Sequence, residues 1–192
     1  LTPIRDPRIR RFGLVSLLLV VPQFAIVAFL VVYLVDEHDV APATAALLLA
    51  AVQLGGGAGR ILAGRWSDRL GLRVVPLRRL ATAITALFVG LAGLELLDAA
   101  AAAVPVMLLT GVVAISWNGL AFTAVGELAG PGRAGTALGL QNTSVALGAA
   151  ITAPLLGAVV DRSDWAVGFA IAAVCAGGAG LLLRQLVAAE RA

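Results

Sequence analysis

Five amides and one indole are the polar side chains best placed to bind a small solute, because each falls inside a long apolar stretch. They are Gln23, Gln53, Trp117, Asn118, Gln141 and Asn142. An amide can donate and accept hydrogen bonds, and an indole ring can stack on another ring or on a cation. We predict that these six residues contact a small-molecule substrate. The alternative is that they hydrogen-bond neighbouring helices to one another.

Arg60 places a positive charge about one turn inside the end of another apolar stretch. Its long side chain could extend to the membrane interface. The other interpretations are a ligand for an anion and a partner for an acid in another part of the protein. The acids Glu95, Glu127 and Asp161 all fall near the ends of apolar stretches. The sequence therefore offers no deep carboxylate of the kind that proton coupling usually needs.

The sequence argues against catalysis. It contains one His, one Cys and no Lys, so a metal site based on histidine, a Cys–His pair and Schiff-base chemistry are not expected. The phosphate-binding pattern G-x-x-x-x-G-K-[ST] is absent from the sequence, which argues against ATP-driven activity. We predict a protein that is not an enzyme and that has no metal or cofactor.

The elements that must position the polar residues are membrane helices. The chain of 192 residues is 60% hydrophobic and 13% charged, with a mean hydropathy of +1.00, far from the composition of soluble domains. A spanning helix needs about 20 apolar residues. Six stretches qualify: Phe12 to Val35, Pro42 to Gly64, Pro76 to Leu97, Val104 to Val125, Thr136 to Val160 and Trp165 to Val187. The predicted fold is an all-α integral membrane protein.

The arginines indicate the orientation of these spans. Cytoplasmic loops are enriched in basic residues. With six spans, all the arginines except Arg162 fall on one side, including those between Arg5 and Arg11, those between Arg60 and Arg79, and Arg191. We predict that both termini are cytoplasmic. The net charge of +3 is then a consequence of topology, and we expect the lipid bilayer, not nucleic acid, as the partner.

An internal repeat relates the two halves of the sequence. The pattern G-x-x-x-D-R ends the second span at Gly64 to Arg69 and recurs at the end of the fifth span, at Gly157 to Arg162. We predict two three-helix repeats, over residues 12–97 and 104–187, with opposite orientations in the membrane. Inverted repeats are typical of secondary transporters. The alternative is chance similarity between helices rich in Gly, Ala and Leu.

The segment Gly64 to Arg73 resembles the loop signature of the major facilitator superfamily, G-x-x-x-D-R-x-G-x-R. A second segment, from Arg133 to Gly157, looks like the penultimate helix of such transporters. The resemblance covers the chain from its first span to its last. It implies one half of a twelve-helix fold, and the chain looks like the C-terminal half. Residues 1–11 would then end the central cytoplasmic loop, residues 188–192 would form a cytoplasmic tail, and the partner would be an N-terminal six-helix half.

The resemblance also implies roles for individual residues. It assigns the loop residues to a gate that favours the state closed to the cytoplasm; these residues are Gly64, Asp68, Arg69, Gly71 and Arg73. Small residues and a proline in the fifth span are expected to serve helix packing and bending; they are Gly148, Pro154 and Gly157.

The expected function is secondary active transport of a small organic solute across the plasma membrane by alternating access. A proton is a possible coupling ion, and the sequence leaves open which solute moves and in which direction. The alternative is a six-span membrane scaffold or sensor that transports nothing. Such a scaffold would not require the amides inside the spans or the gating loop.

Overall fold

The computed structural model describes residues 5–190, which contain seven helices. In chain order they are α1 (Pro7–Asp36), α2 (Pro42–Leu70), α3 (Val74–Leu96), α4 (Ala100–Ile115), α5 (Asn118–Ala129), α6 (Ala134–Val160) and α7 (Trp165–Glu190). Residues 1–4 and 191–192 lie outside the described residues. They include parts of the predicted loop and tail, and Arg191.

The all-helical membrane fold is confirmed. Six helical segments are long and apolar enough to cross a membrane, if α4 and α5 are taken together as one segment, Ala100–Ala129. The described residues contain no strand. The inverted arrangement of two repeats stays a prediction.

Several helices extend beyond their predicted bounds because capping residues lie outside the apolar runs. The Asp6 carboxylate accepts a hydrogen bond from the Arg8 N–H at 2.8 Å and caps α1, whose first residue is Pro7. At the other end of the next helix, α2 continues six residues past Gly64 to Leu70. It ends at Gly71, whose φ of 62° is in the left-handed region that glycine adopts without strain.

The helix α1 lies at the centre of the bundle. It contacts α6 and α7 along its length and also touches α2, α4 and α5. Its side chains from Val15 to Leu34 include many that are fully enclosed, such as Leu19, Ile26 and Tyr33. Around it, α3 packs against α7, and α2 packs against α4.

The second and fifth spans are the least covered of the six, and we call the uncovered surfaces of α2 and α6 together the open face. Only 17% of the most apolar segment of α2 and of α6 is buried, against 44–50% in the other four spans. Large apolar side chains on these two helices are exposed: Leu47, Leu54, Ile61, Leu62, Leu147, Ile151 and Leu155. Because a bundle buries each helix on the side that faces its neighbours, α2 and α6 are the helices with the least covered surface.

Candidate functional site

The fourth span is interrupted near its middle, between α4 and α5. At the interruption the Ser116 N–H donates to the Val113 carbonyl at 3.1 Å, which is a tighter turn than the α-helix makes. The Ser116 hydroxyl donates to the Val112 carbonyl at 2.6 Å. Helical bonding resumes where the Ala121 N–H donates to the Trp117 carbonyl at 3.3 Å. Broken membrane helices present backbone groups to side chains and ligands, and binding sites often form there.

Arg60 of α2 reaches this interruption. Its Nε donates to the Ile115 carbonyl, the last of α4, at 3.0 Å. Because α2 continues to Leu70, Arg60 lies nearly three turns, about 15 Å, before the helix ends, and its depth of one turn inside the apolar stretch stays a prediction. Its side chain is exposed, on the edge of α2 that borders the fourth span.

Glycines allow α2 to approach the interruption closely. A methyl carbon added to Gly56 would lie 2.5 Å from Ile115 Cγ2, and one added to Gly55 would lie 2.8 Å from Val112 Cγ2. A methyl group at Gly59 would overlap the Ser116 side chain. The backbone of α2 therefore approaches α4 at positions where any added side chain would force a neighbour to shift, and this contact brings Arg60 to the Ile115 carbonyl.

The structure joins two of the predicted amides to each other. Asn118 Nδ2 donates to Gln23 Oε1 at 2.9 Å, which connects the broken span to α1. Gln141 of α6 donates instead to the Ser16 hydroxyl of α1. Buried Asn118 Oδ1 and Gln141 Oε1 have no hydrogen-bond partner within residues 5–190. Each amide thus keeps an acceptor in the interior for a further donor.

The six predicted solute contacts fall into three environments. Trp117 and Gln141 are enclosed, with 0% and 1% of their surface exposed, and Trp117 Nε1 has no partner in the described part of the chain. Gln23 and Asn118 are half-buried, whereas Gln53 and Asn142 are exposed on α2 and α6. Residues at the open face can meet a solute directly, and the enclosed ones can reach it only through their neighbours.

The Gln23–Asn118 bond can be measured directly by a double-mutant cycle with leucine at both positions. We expect a coupling free energy of about 0.6 kcal/mol, the average for hydrogen bonds between membrane helices. The measurement is the free energy of unfolding of the parent, the two single variants and the double variant. The control cycle pairs Gln53→Leu with Asn118→Leu. Equal coupling free energies in both cycles would contradict a specific hydrogen bond between Gln23 and Asn118.

A charged cluster lies at the arginine-rich end of the bundle and centres on Arg73. The Arg73 guanidinium pairs with Asp68 at 2.5 Å and with Glu127 of α5 at 2.9 Å, and it donates to the Ser67 hydroxyl at 3.0 Å. Hydrogen bonding to Glu127 and then to Asp68 raises the pKa of Arg73, so the guanidinium stays charged. We call Asp68, Arg73 and Glu127 the Arg73 cluster.

The Arg73 cluster contains two of the five predicted gating residues, together with an acid that sequence analysis did not connect to them. The predicted topology places Glu127 on the same side of the membrane as the loop. This shared side was the feature of the sequence that could have connected Glu127 with the gating residues. Among the other three, Gly71 makes the left-handed turn, and Arg69 is exposed and makes no ion pair within residues 5–190. A methyl group added at Gly64 would have no described atom within 4 Å, so close packing does not require a glycine there.

Glu190, near the end of α7, caps the start of α3. Its carboxylate accepts from the backbone N–H groups of Arg73, Val74 and Val75 at 2.5, 2.7 and 3.1 Å. These N–H groups have no partner inside their own helix, and a negative charge there also favours the helix dipole. Sequence analysis missed this contact because it placed residues 188–192 in a tail, whereas α7 continues to Glu190.

Removing the Glu190 carboxylate should destabilise the bundle. We expect Glu190→Ala to lower the free energy of unfolding by about 0.5–2 kcal/mol, the range for a lost N-terminal cap. Denaturant unfolding of the purified protein measures this change. Asp161→Asn is the control, because Asp161 is an exposed acid next to a helix end, and its side chain makes no hydrogen bond in the described residues. An equal loss in both variants would refute the capping role.

At the opposite end of the bundle, Tyr33 ties three spans together. Its hydroxyl donates to Glu95 of α3, and its ring makes edge contacts with Trp165 and Phe169 of α7 at centroid distances of 5.1 and 5.5 Å. Trp165 Nε1 donates to Glu37 at 2.9 Å. These contacts hold α1, α3 and α7 together at the end away from the Arg73 cluster.

The predicted packing residues of the fifth span differ in their contacts. Gly148 is buried against α1, and a methyl carbon there would overlap Val20 and lie 3.2 Å from the Leu17 carbonyl oxygen. Gly157 has the Phe29 ring 3.6 Å from its methyl position. Pro154 is exposed inside α6, and the helix continues beyond it to Val160. Gly148 thus serves close packing.

The residues described include no group of three or more His, Cys, Asp or Glu side chains that could hold a metal ion. The structure instead combines a broken apolar span, amides at membrane depth and an ionic cluster at one end. The model of the family described as Major Facilitator Superfamily matches residues 12–191. The chain belongs to this family.

Two curated proteins of the major facilitator superfamily are similar to the chain. Both come from Mycobacterium tuberculosis: the uncharacterized MFS-type transporter Rv2994 of strain H37Rv and the uncharacterized MFS-type transporter MT3072 of strain CDC 1551. Each is 37% identical over 164 residues, which is 85% of this chain and 37% of the relative. The chain therefore spans little more than a third of the length of these relatives.

Proposed function

We propose that this chain takes part in secondary active transport of a small organic solute, and that it forms the C-terminal six-helix half of a transporter that works by alternating access. The observation that carries the proposal is the open face of α2 and α6 in a chain of this family. Exposed amides on that face, Gln53 and Asn142, would be out of place in contact with lipid, since unsatisfied polar groups are costly there. A second six-helix half would cover the face and enclose a cavity with it.

Within this proposal, the solute lies at the open face. Gln53 and Asn142 contact it directly, and Gln23 and Asn118 contact it where the fourth span breaks. Trp117 and Gln141 support the site from the interior, since both side chains are enclosed. The unpartnered acceptors of Asn118 and Gln141 favour a binding region that supplies donors, from water or from the solute.

The Arg73 cluster, with Arg69, Gly64 and Gly71, is the proposed gate. Ion pairs that form at one end of a bundle stabilise the conformation in which that end is closed. The arginines favour a cytoplasmic location of this end in the plasma membrane, with both termini of the chain on that side. If a proton drives transport, the titrating group belongs to the other half, since the acids of the described spans lie near the helix ends.

Transport by the full-length protein in liposomes tests the proposal. We expect time-dependent, saturable uptake of one or a few members of a mixture of small organic solutes, read by mass spectrometry and absent from empty liposomes. Accumulation that ionophores abolish would support ion coupling. Failure of every solute to move would support the alternative of a non-transporting scaffold.

Accessibility from the two sides of the membrane tests the alternating mechanism. In an Asn142→Cys variant that also carries Cys175→Ala, a maleimide that cannot cross membranes should label residue 142 from either side, and substrate should change the ratio of the two rates. Thr82→Cys on α3 is the control, because α3 packs mainly against α7 and α4 and only slightly against α2. Labelling of residue 142 from one side alone would contradict alternating access.

A further inference from the structure

We propose that Arg60 binds an anionic group of the transported solute, so that the substrate class is small organic anions with a carboxylate, sulfonate or phosphate group. The proposal rests on the proposed transport function and names the chemistry of its substrate. Its starting point is the position of Arg60 in the middle third of α2, on the edge that borders the interrupted span.

The charge of Arg60 is not balanced by the surrounding helices. Within residues 5–190, no carboxylate oxygen lies within 4.0 Å of its guanidinium. The acids nearest to membrane depth have other partners: Glu95 accepts from Tyr33, and Glu127 pairs with Arg73. An ionisable residue inside a membrane span is costly and marks a functional site by default.

One hydrogen bond fixes the position of the Arg60 guanidinium and leaves its two terminal nitrogens free to donate to a ligand. Only Nε is engaged, with the Ile115 carbonyl at 3.0 Å, and neither terminal nitrogen hydrogen-bonds to another described residue. The stem is therefore anchored to a backbone that the glycines of α2 bring close. The two terminal nitrogens form the planar fork that matches a carboxylate or a phosphate.

A second polar group shares the edge of α2 on which Arg60 lies. Gln53 precedes Arg60 by seven residues, which is two helical turns, about 10 Å, along the same face. Both side chains are exposed at the open face. An anion held by Arg60 can therefore place a second hydrogen-bonding group against Gln53, and the surroundings are otherwise apolar, with exposed Leu54 and Ile61. This pattern fits an organic anion better than an inorganic one.

Ligand-induced thermal stabilisation of the purified full-length protein tests the proposal. The probes are benzoate, benzenesulfonate, phenyl phosphate and glutarate, with benzamide, benzamidine and glutaramide as uncharged or cationic counterparts of similar shape. We expect at least one anion, and not its counterpart, to stabilise the parent protein. In Arg60→Gln the dissociation constant of that anion should rise about tenfold or more, because a charge-assisted bidentate contact is lost.

Matched variants separate the anion site from general effects of charge. Arg65→Gln removes a neighbouring exposed arginine of the same helix and should change the dissociation constant less than about threefold, since the site charge is kept and surface charges are screened. Arg60→Lys keeps the charge but loses the fork, and should bind the anion at an intermediate strength. If Arg60→Gln does not fold, the parent protein and Arg60→Lys still decide the question.

Three results would overturn the proposal: no anion stabilises the parent, only uncharged or cationic probes do, or the anion binds Arg60→Gln as well as the parent. A carboxylate from elsewhere in the full-length protein, paired with Arg60, would give the first of these results.

Uptake of the same probes into liposomes separates the transport proposal from the anion-site proposal. Transport of an uncharged solute that Arg60→Gln leaves unchanged would keep the transport function and reject the anion site. Anion binding that depends on Arg60, without transport of any probe, would keep the anion site and reject the transport function.

Discussion

Gly56→Ala is expected to destabilise the protein by about 1–3 kcal/mol, the cost of forcing an extra carbon into a packed contact. The added carbon would lie 2.5 Å from Ile115 Cγ2 and 2.7 Å from Ile115 Cβ. The Cβ atom is fixed to the backbone, so a change of rotamer cannot relieve the overlap. The helices α2 and α4 must therefore separate, and the Arg60 bond to the Ile115 carbonyl should weaken with them.

The neighbouring glycine provides the control. Gly57 has no atom within 4 Å of its methyl position, and alanine is favoured over glycine inside a helix by about 0.5–1 kcal/mol. Gly57→Ala should therefore be neutral or slightly stabilising in this chain. Denaturant unfolding and the yield of purified protein measure both variants. Unchanged stability of Gly56→Ala would contradict the close approach of α2 and α4.

Arg73→Gln is expected to slow transport by the full-length protein about 2- to 30-fold. Each ion pair of the Arg73 cluster is partly exposed to solvent, and such pairs contribute about 0.2–1 kcal/mol each. Losing both pairs would therefore shift the equilibrium between the closed and open states at this end by about 0.4–2 kcal/mol, which is about 2- to 30-fold. Binding of the solute should remain, because the cluster lies at the end of the bundle.

The order of effects within the Arg73 cluster sharpens this prediction. Asp68→Asn and Glu127→Gln each remove one ion pair, so each should slow transport less than Arg73→Gln does. Arg78→Gln is the control, since Arg78 makes no ion pair within residues 5–190. The measurements are initial rates in liposomes and the dissociation constant of the solute. Equal transport rates for Arg73→Gln and the parent would exclude the Arg73 cluster as a gate.

Much of the fold could be predicted because the bilayer limits the possible structures. A chain in hydrocarbon must satisfy its backbone groups internally, so an apolar run of about 20 residues predicts a helix. Helix ends were less predictable, because polar residues after Gly64 and before Phe12 continue the helices outside the apolar runs. The interruption at Ser116 and Trp117 also left no signal, since neither residue breaks helices by itself.

The candidate site was predictable in its residue types but not in its pairings. An amide in an apolar run needs a partner, and this argument identified all five amides: Gln23, Gln53, Asn118, Gln141 and Asn142. It could not distinguish a solute from a neighbouring helix as that partner. The structure pairs Gln23 with Asn118, and Gln141 with Ser16, while Gln53 and Asn142 remain exposed.

The sequence by itself determined the six spans, the asymmetric distribution of arginines and the family signature at Gly64 to Arg73, because these features depend on neighbouring residues and on the bilayer as solvent. Only the tertiary structure decided which side chains meet. Arg73 and Glu127 are 54 positions apart, Arg60 and Ile115 are 55 apart, and Gln23 and Asn118 are 95 apart. Such contacts depend on how helices pack, and packing is set by the fit of many side chains at once, which no local pattern records.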